Sequence, residues 1–254
     1  MFIDSHFHLN MIEENIEIQK KVLEDSKNKG LITGINIYTS PDALIKDRSI
    51  INKLEKESIK VACGWYPEYS LSQEMIEKLE NVIREYNIFA IGEIGLEYYR
   101  MHKPKLEQIE LFEAQMEIAK KYNKPVIIHT REATEDTIRI LKKFPSVKGI
   151  IHCFSGTKET AKTYLDIGYY ISFAGNLTFK KSTDLQETIK FIPIDMIMFE
   201  TDAPFLAPMP FRGQKNLPYM VKYTYEFASK ILNLPIEDLS LKILQNWENF
   251  TKNH

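Results

Sequence analysis

The sequence predicts an α/β protein that forms a single (β/α)8 TIM barrel with additional C-terminal helices. Short apolar runs rich in β-branched residues alternate with longer amphipathic stretches, and eight such units fit into the 254 residues. Several of the runs lack the strict alternation of a half-exposed strand, which indicates strands buried on both faces. A doubly wound open sheet is the alternative, but no glycine-rich phosphate-binding motif follows the first strand.

The predicted elements follow one another along the whole chain, which we expect to be one domain over residues 1–254. The eight predicted strands are residues 2–8, 31–38, 60–66, 88–96, 125–130, 148–154, 169–175 and 196–202. The stretches between them carry helical periodicity, most clearly at 76–86 and 106–122. Two further helices, near 216–232 and 236–247, are predicted to end the chain after the last strand.

Composition restricts the setting in which this protein acts. The formal net charge is −2, so the chain has no overall positive charge that would attract nucleic acid, and such a substrate would need local charges or metal ions. Cys63 and Cys153 form no CxxC motif, which is compatible with a reducing cytosol. The N-terminus reads as a strand and not as a signal peptide, and no apolar run approaches a membrane span. We therefore expect a cytoplasmic monomer without membrane contacts.

Polar residues capable of chemistry fall at the carboxyl ends of five predicted strands, where barrel enzymes carry their active sites. These residues are His6, His8, Glu93, His129, His152 and Asp202. His6 and His8 are two positions apart, so both side chains of an extended strand point to the barrel axis. Asp4 shares their orientation one layer deeper, where we expect it to accept a hydrogen bond from a ligating imidazole or to remain a satisfied interior polar group.

Four histidines and two carboxylates exceed what one tetrahedral zinc ion requires, and the set suits two divalent ions bridged by Glu93. Two such ions can activate water and hold both oxygens of an in-line displacement at phosphorus. Mixed imidazole and carboxylate ligands fit Zn²⁺, Mn²⁺, Co²⁺ or, more weakly, Mg²⁺.

His254 is left out of this set, and the role of His102 stays open. By its strand orientation, Cys153 is predicted to point away from the axis, and Cys63 is predicted to lie in the core.

Seven segments of the chain, in this order and at these distances, resemble the TatD family of metal-dependent hydrolases. They are IDSHFHL, AIGEIGLEYYR, PVIIHTREA, IHCFSGT, YYISFAGNLTF, FETDAPFLAP and FRGQKNLP. The resemblance covers essentially the whole chain. It implies an amidohydrolase-like barrel with DNase activity, commonly of the 3′-to-5′ exonuclease type. It also implies that the six residues above are the metal ligands, with Glu93 as the bridge.

The departures from the family pattern affect no predicted ligand. The family usually has Asp where Glu97 stands, often reads HSRDA in place of HTREA, and often has a basic residue at Gln214. These differences bear on substrate preference more than on metal chemistry.

Residues near the strand ends are candidates for catalysis and for binding DNA, with RNA as an alternative substrate. Asp202 is expected to orient the attacking water or take its proton, with Glu93 holding the ions. Arg131 is the first candidate for a phosphate clamp because it shares the orientation of His129. Further candidates for substrate binding are Arg212, Lys215, Asn176 and Tyr98, with Tyr98 or Tyr99 able to stack on a base.

Two other functions stay open from the sequence. The first is hydrolysis of an ester or C–N bond, as by an amidohydrolase or an aminoacyl-tRNA deacylase. Many binuclear amidohydrolases bridge their ions with a carboxylated lysine in strand 4, whereas the segment IFAIGEIGL contains no lysine. The second is a barrel that binds a partner without catalysis, which predicts a broken ligand set, and here no predicted ligand is missing.

Overall fold

The computed structural model describes residues 1–252, and its eight parallel strands confirm the predicted barrel. Each strand is hydrogen-bonded to the next in chain order. The strands are β1 (Phe2–Phe7), β2 (Leu31–Tyr38), β3 (Ile59–Cys63), β4 (Ala90–Glu97), β5 (Val126–Arg131), β6 (Gly149–Ile151), β7 (Tyr170–Phe173) and β8 (Ile197–Phe199). The last three are shorter than predicted. His254 lies outside the described residues.

Helices connect the strands and surround the barrel. They are α1 (Leu9–Ile12), α2 (Ile16–Asn28), α3 (Pro41–Lys46), α4 (Ile51–Lys56), α5 (Gln73–Glu85), α6 (Lys105–Lys121), α7 (Thr134–Lys143), α8 (Lys158–Asp166), α9 (Thr183–Phe191), α10 (Val221–Leu232) and α11 (Ile236–Lys252). Side-chain caps begin several of them, as at Ser40, Ser72 and Thr157, whose hydroxyls accept backbone N–H bonds. No helix among residues 1–252 combines the length and apolar character needed to cross a membrane.

The apolar runs of the sequence form a core that lies both inside the barrel and between strands and helices. Every residue of β4 is buried, and β2 has only one half-buried position. Burial on both faces explains why these runs lack polar alternation. Amphipathic helices such as α5, which buries Leu79, Val82 and Ile83, cover the outer face of the sheet.

Between β8 and β1 the barrel is closed by a few backbone contacts of the residues after β8 and by side chains, in place of a strand ladder. One isolated parallel bridge joins Phe7 to Ala203, and the backbone nitrogen of Asp202 donates to the carbonyl of His6 over 2.9 Å. Deeper in the seam, the hydroxyl of Tyr225 in α10 lies 3.2 Å from both the backbone nitrogen and the carbonyl of Ile3. The chain after β8 is thereby held against β1.

Candidate metal centre

The barrel brings all six predicted ligands together at the carboxyl ends of its strands. Groups of three donor atoms lie within 4.8 Å of one another in three combinations. These combinations are His6, His8 and Glu93; Glu93, His129 and His152; and His6, His152 and Asp202. Residues separated by almost 200 positions in the chain therefore share one site, because parallel strands all end at the same rim.

Glu93 lies between two pairs of histidines and turns one carboxylate oxygen to each pair. Its Oε2 is 3.5 Å from His6 Nε2 and 3.7 Å from His8 Nε2. Its Oε1 is 2.8 Å from His129 Nδ1 and 3.0 Å from His152 Nε2. We call the group around Oε2 the β1 position and the group around Oε1 the β5–β6 position.

Asp202 completes the β1 position from the segment after β8, which lies beside β1. Its Oδ1 lies 3.5 Å from His8 Nε2 and 3.8 Å from His6 Nε2. The two imidazole Nε2 atoms are themselves only 3.0 Å apart. Two nitrogens and two carboxylates thus converge from β1, β4 and the segment after β8.

The donor set fits divalent metal ions. In each position, imidazole nitrogens and carboxylate oxygens face a common point from side chains that are buried or nearly so. Buried carboxylates are costly without a cationic partner, and imidazole with carboxylate is the ligand chemistry of Zn²⁺, Mn²⁺ and Co²⁺. The residues present can therefore hold a metal at either position.

The titration of these groups is strongly perturbed. Burial alone would raise the pKa of Glu93, but the charge of His152 and hydrogen bonds from His129, His152 and His6 lower it well below its usual range. Burial lowers the pKa of His6, and the neighbouring His152 lowers it further. Burial opposes protonation of His152 as well, yet Glu93 and Glu200 raise its pKa well above the usual value. Such coupled shifts are typical of functional sites.

The local backbone aims Glu93 at the histidines. The pairing of β4 with β5 shifts between Gly92 and Ile94, so that Glu93 is an extra residue in the strand. Bulges of this kind redirect one side chain without ending the strand. Gly95 follows with φ of +142°, and a Cβ there would lie 1.9 Å from the carbonyl oxygen of His129. Glycine is required at this point because β5 approaches so closely.

Cys153 corrects one prediction from the sequence. Strand alternation predicted a side chain directed away from the axis, but Cys153 lines the cavity at the mouth of the barrel. The reason is that β6 ends at Ile151 and Cys153 adopts a φ of +45°, so the alternation stops before it. Burial raises the pKa of its thiol well above the usual value, as do Asp202, Glu200 and Glu93. Cys63 is fully buried, as predicted.

The cavity over the ligands has a volume of about 590 Å³, which is within the range of ligand-binding clefts. Arg131 and Asn176 line it, as do the predicted ligands Glu93, His129 and Asp202. The guanidinium of Arg131 stacks 4.0 Å above the ring centroid of Tyr99. Of the substrate-binding candidates, Arg131 and Asn176 are thus the two that face this space.

Three other candidates lie elsewhere in the described part of the chain, residues 1–252. Tyr98 is 9% exposed, does not line the cavity, and donates its hydroxyl to Asp136 over 2.9 Å. Arg212 lies outside the lining, with its guanidinium 4.6 Å above the ring of Phe179. Lys215 also lies outside it, and its ammonium donates to Glu13 and to the carbonyl of Ile12.

Asp4 is buried beneath the site as a hydrogen-bonded interior group, which fits the second of the two expectations for it, and its partners are not imidazoles. Its carboxylate accepts hydrogen bonds from the backbone nitrogens of His6 and Thr201 and from the Thr201 hydroxyl. Burial raises the pKa of Asp4 well above the usual value, although the bonds from Thr201 oppose this. Asp4 thus supports the backbone around the predicted ligands. In the described residues it does not contact the ring of a predicted ligand.

Several residues at the site were not assigned a role from the sequence. Tyr66, Arg100 and Phe205 line the cavity, and the buried Glu97 and Glu200 contact histidines of the predicted ligand set. The two acids carry a signal that could have revealed them, because each stands at the end of a buried apolar strand, where an ionisable group needs a partner. Phe205 lies in a loop, and Tyr66, predicted as the last residue of the third strand, lies in the loop after β3, which ends at Cys63. Hydrophobic periodicity does not define the path of such loops.

Comparisons with known proteins agree with this geometry. The family described as TatD related DNase matches residues 3–252. The metal-dependent hydrolase YcfH of Escherichia coli strain K12 is 33% identical over 251 residues, which cover 96% of this chain and 93% of that one. The metal-dependent hydrolase YabD of Bacillus subtilis strain 168 is 34% identical over 250 residues, covering 97% of both chains.

A solved structure shows the same fold. The TatD homologue YJJV of Escherichia coli superposes with a TM-score of 0.88 at 23% identity, covering 99% of this chain and 98% of the other. The barrel and its rim of imidazole and carboxylate donors, with these relatives, define a metal-dependent hydrolase. More specifically, the chain belongs to the TatD family.

Proposed function

We propose that this protein is a divalent-metal-dependent phosphodiesterase that hydrolyses DNA, acting as a 3′-to-5′ exonuclease with two ions in its site. The observation that carries the proposal is the orientation of Glu93, whose two carboxylate oxygens each face a different pair of histidines. A carboxylate so placed is suited to bridge two cations beside an open cavity. The family description, TatD related DNase, supports DNA as the substrate.

The two ions, when bound, supply Lewis acidity that activates a water molecule and offsets charge on phosphoryl oxygens. His6, His8 and Asp202 would hold one ion, His129 and His152 the other, and Glu93 both. Asp202 lines the cavity and takes a proton from the attacking water in this proposal. Burial opposes its ionisation, but the hydrogen bond from His8 and the charges of His152 and His6 lower its pKa, so it is present as a base.

Two arginines at the rim provide positive charge for the phosphodiester. Arg131 and Arg100 both line the cavity on the side of β4 and β5. Guanidinium groups bind phosphate through paired N–H donors, which also stabilises charge that builds on the phosphoryl oxygens. Asn176 lines the other side, and its amide is able to hydrogen bond with a sugar hydroxyl or a base.

The test uses protein stripped of metal and reloaded with single ions. Single- and double-stranded DNA labelled at the 3′ or the 5′ end is then offered, with Glu93→Ala as the control. We expect ion-dependent shortening from the 3′ end and its loss in Glu93→Ala. An aminoacyl-tRNA is offered in parallel, because hydroxide activated by metal also attacks carbonyl carbon.

The outcomes separate the alternatives. No cleavage of any strand with any ion would overturn the nuclease proposal, and hydrolysis of the aminoacyl ester alone would support a deacylase instead. Cleavage that is unchanged in Glu93→Ala would contradict the assignment of the site.

A further inference from the structure

We propose that Glu97 and Glu200 are positioning residues of the metal centre, each of which orients one histidine of the β5–β6 position. Glu200 acts on His152, and Glu97 acts on His129. Through these contacts two buried negative charges support one ion position and not the other. The proposal rests on the metal-binding part of the proposed function and is independent of the substrate.

Glu200 fixes the ring of His152 from behind. Its side chain is 0% exposed, and its Oε1 lies 3.1 Å from His152 Nδ1. The same oxygen accepts the backbone nitrogen of Cys153 over 2.9 Å, which holds the carboxylate in place. When Nδ1 carries the proton and donates to Glu200, the lone pair of Nε2 faces Glu93 Oε1, 3.0 Å away.

Glu97 holds the ring of His129 by its Nε2, whereas Glu200 holds the ring of His152 by its Nδ1. Its Oε2 lies 3.3 Å from His129 Nε2, so that Nδ1 is left to face Glu93. The Tyr66 hydroxyl donates to the same oxygen over 3.4 Å and also lies 3.2 Å from His129 Nε2, so it holds the ring together with Glu97. The second oxygen, Oε1, accepts the backbone nitrogens of Tyr99 and Arg100 over 2.9 and 3.0 Å. Glu97 is therefore fixed on both sides and links the metal centre to the loop that carries Arg100.

The β1 position has no corresponding carboxylate behind its rings among residues 1–252. His8 Nδ1 faces the neutral carbonyl of Ile37 at 3.0 Å. His6 Nδ1 is buried and has no hydrogen-bond partner in the described structure. The two positions thus differ in the charge behind their histidines, although they share Glu93.

This difference predicts position-specific effects. A carboxylate that accepts a hydrogen bond from a ligating imidazole orients the ring and makes it a better donor, and its loss typically lowers metal affinity 10- to 100-fold. A glutamine at either site keeps the shape of the side chain and an oxygen acceptor while removing the charge. Affinity at the β5–β6 position should fall in Glu97→Gln and in Glu200→Gln, whereas affinity at the β1 position should not.

The experiment is a titration of metal-stripped protein with Co²⁺ alone, followed by visible absorption and by equilibrium dialysis. Wild type, Glu97→Gln, Glu200→Gln and the double variant are compared, with Glu110→Gln, an exposed position of α6, as the matched control. We expect two bound ions in the wild type. In each single variant, one ion should bind about 10- to 100-fold more weakly, with a shifted absorption band, and the other within twofold of wild type.

Unchanged affinity of both ions in both variants would overturn the proposal, and so would an equal weakening of both ions. Thermal unfolding of the metal-stripped variants serves as the second measurement. If only one variant folds, that variant decides the outcome; if neither folds, the acids are structural and the proposal fails. Because Co²⁺ binding needs no substrate, absence of DNase activity leaves this test intact. A wild type that binds fewer than two ions would instead contradict the proposed two-ion site.

Discussion

The carboxylate of Asp4 accepts two hydrogen bonds from Thr201, a residue 197 positions later in the chain. The backbone nitrogen of Thr201 donates over 2.8 Å and its hydroxyl over 2.5 Å. Both bonds lie in the seam between β8 and β1, where an isolated bridge replaces a strand ladder. They fix the residue next to Asp202 relative to the strand that carries His6 and His8. An interior acid thus links closure of the barrel to the geometry of the metal centre.

Asp4→Ala should therefore destabilise the protein. It leaves the buried nitrogen of Thr201 without an acceptor, which costs about 1–3 kcal/mol in the free energy of unfolding. A chain of this size loses roughly 2–4 °C in Tm for each kcal/mol. Thermal unfolding measures the effect, with Asp25→Ala at an exposed position of α2 as the control. Equal Tm values for Asp4→Ala and wild type would contradict this role.

Arg131→Ala should lower kcat/KM on DNA. The guanidinium stacks on Tyr99 and lies 3.9 Å from the carboxylate of Glu97, but the side chain is 44% exposed and lines the cavity, so its outer N–H groups are available to a phosphate. Hydrogen bonds to charged groups contribute about 1.5–3 kcal/mol, which corresponds to roughly a 10- to 150-fold loss. Arg131→Lys should recover only part of this, because an ammonium group lacks the paired donors.

Lys215→Ala is the matched control for Arg131, because its ammonium is already bound to Glu13. Steady-state kinetics on a labelled strand measures both variants. If kcat/KM falls as much in Lys215→Ala as in Arg131→Ala, or falls in neither, Arg131 does not act as a phosphate clamp.

Phe205→Ala should raise KM for a strand that carries bases. The ring of Phe205 is 51% exposed, lines the cavity and lies edge-on to His8 at 6.4 Å between centroids. Stacking of a base on an aromatic ring contributes about 1–3 kcal/mol, so we expect roughly a 5- to 150-fold increase. A strand whose terminal nucleotide lacks its base should show no such effect. Phe191→Ala, exposed but outside the cavity lining, is the control, and equal effects on both strands would argue against stacking.

Asp47→Asn should change the dependence of stability on pH. Asp47 is buried and accepts a hydrogen bond from Gln19 Nε2 over 3.0 Å. Burial raises its pKa, and the bond from Gln19 and the charge of Lys46 only partly oppose this. A raised folded-state pKa stabilises the fold below the unfolded-state value of about 3.9, and this contribution is lost as pH rises through the folded-state pKa.

The Tm difference between Asp47→Asn and wild type should accordingly move in favour of Asp47→Asn as pH rises from about 3 to about 7. Asn keeps an oxygen acceptor for Gln19 but does not titrate. Asp25→Asn is the control at an exposed position. A Tm difference that is constant with pH would contradict the assignment.

The sequence predicts well which six side chains meet at the rim, because strand periodicity and barrel topology together decide it; that they bind metal stays a prediction. His6 lies in β1 and His8 directly follows it, and alternation continued this one residue past the strand end. The same rule failed at Cys153, because alternation need not continue past the end of a strand, and β6 is only three residues long. Tyr98 and Tyr99 show the same limit. They are adjacent residues after β4, so the sequence pattern could not decide which ring is exposed, and in the structure it is that of Tyr99.

The supporting contacts depend on tertiary structure that no local pattern encodes. Asp4 has the predicted depth, but its partner is Thr201, across a seam whose hydrogen bonds depend on where β8 ends. Glu97 finds its histidine on the neighbouring strand, whereas Glu200, which follows β8, contacts a histidine that follows β6, two strands away. Their position at the ends of apolar strands signals burial, but which histidine each one contacts is decided only when the barrel is assembled.

In our proposal Glu93 joins two metal positions in one site, and the number of metal ions bound per chain is the decisive measurement. Metal-stripped wild type and Glu93→Ala are reloaded with excess Zn²⁺ or Co²⁺ and dialysed, and the bound metal is measured by mass spectrometry. We predict two ions per chain in the wild type and fewer than two in Glu93→Ala, because the shared carboxylate is gone. One ion or none in the wild type, or two ions retained with equal affinity in Glu93→Ala, would contradict the account.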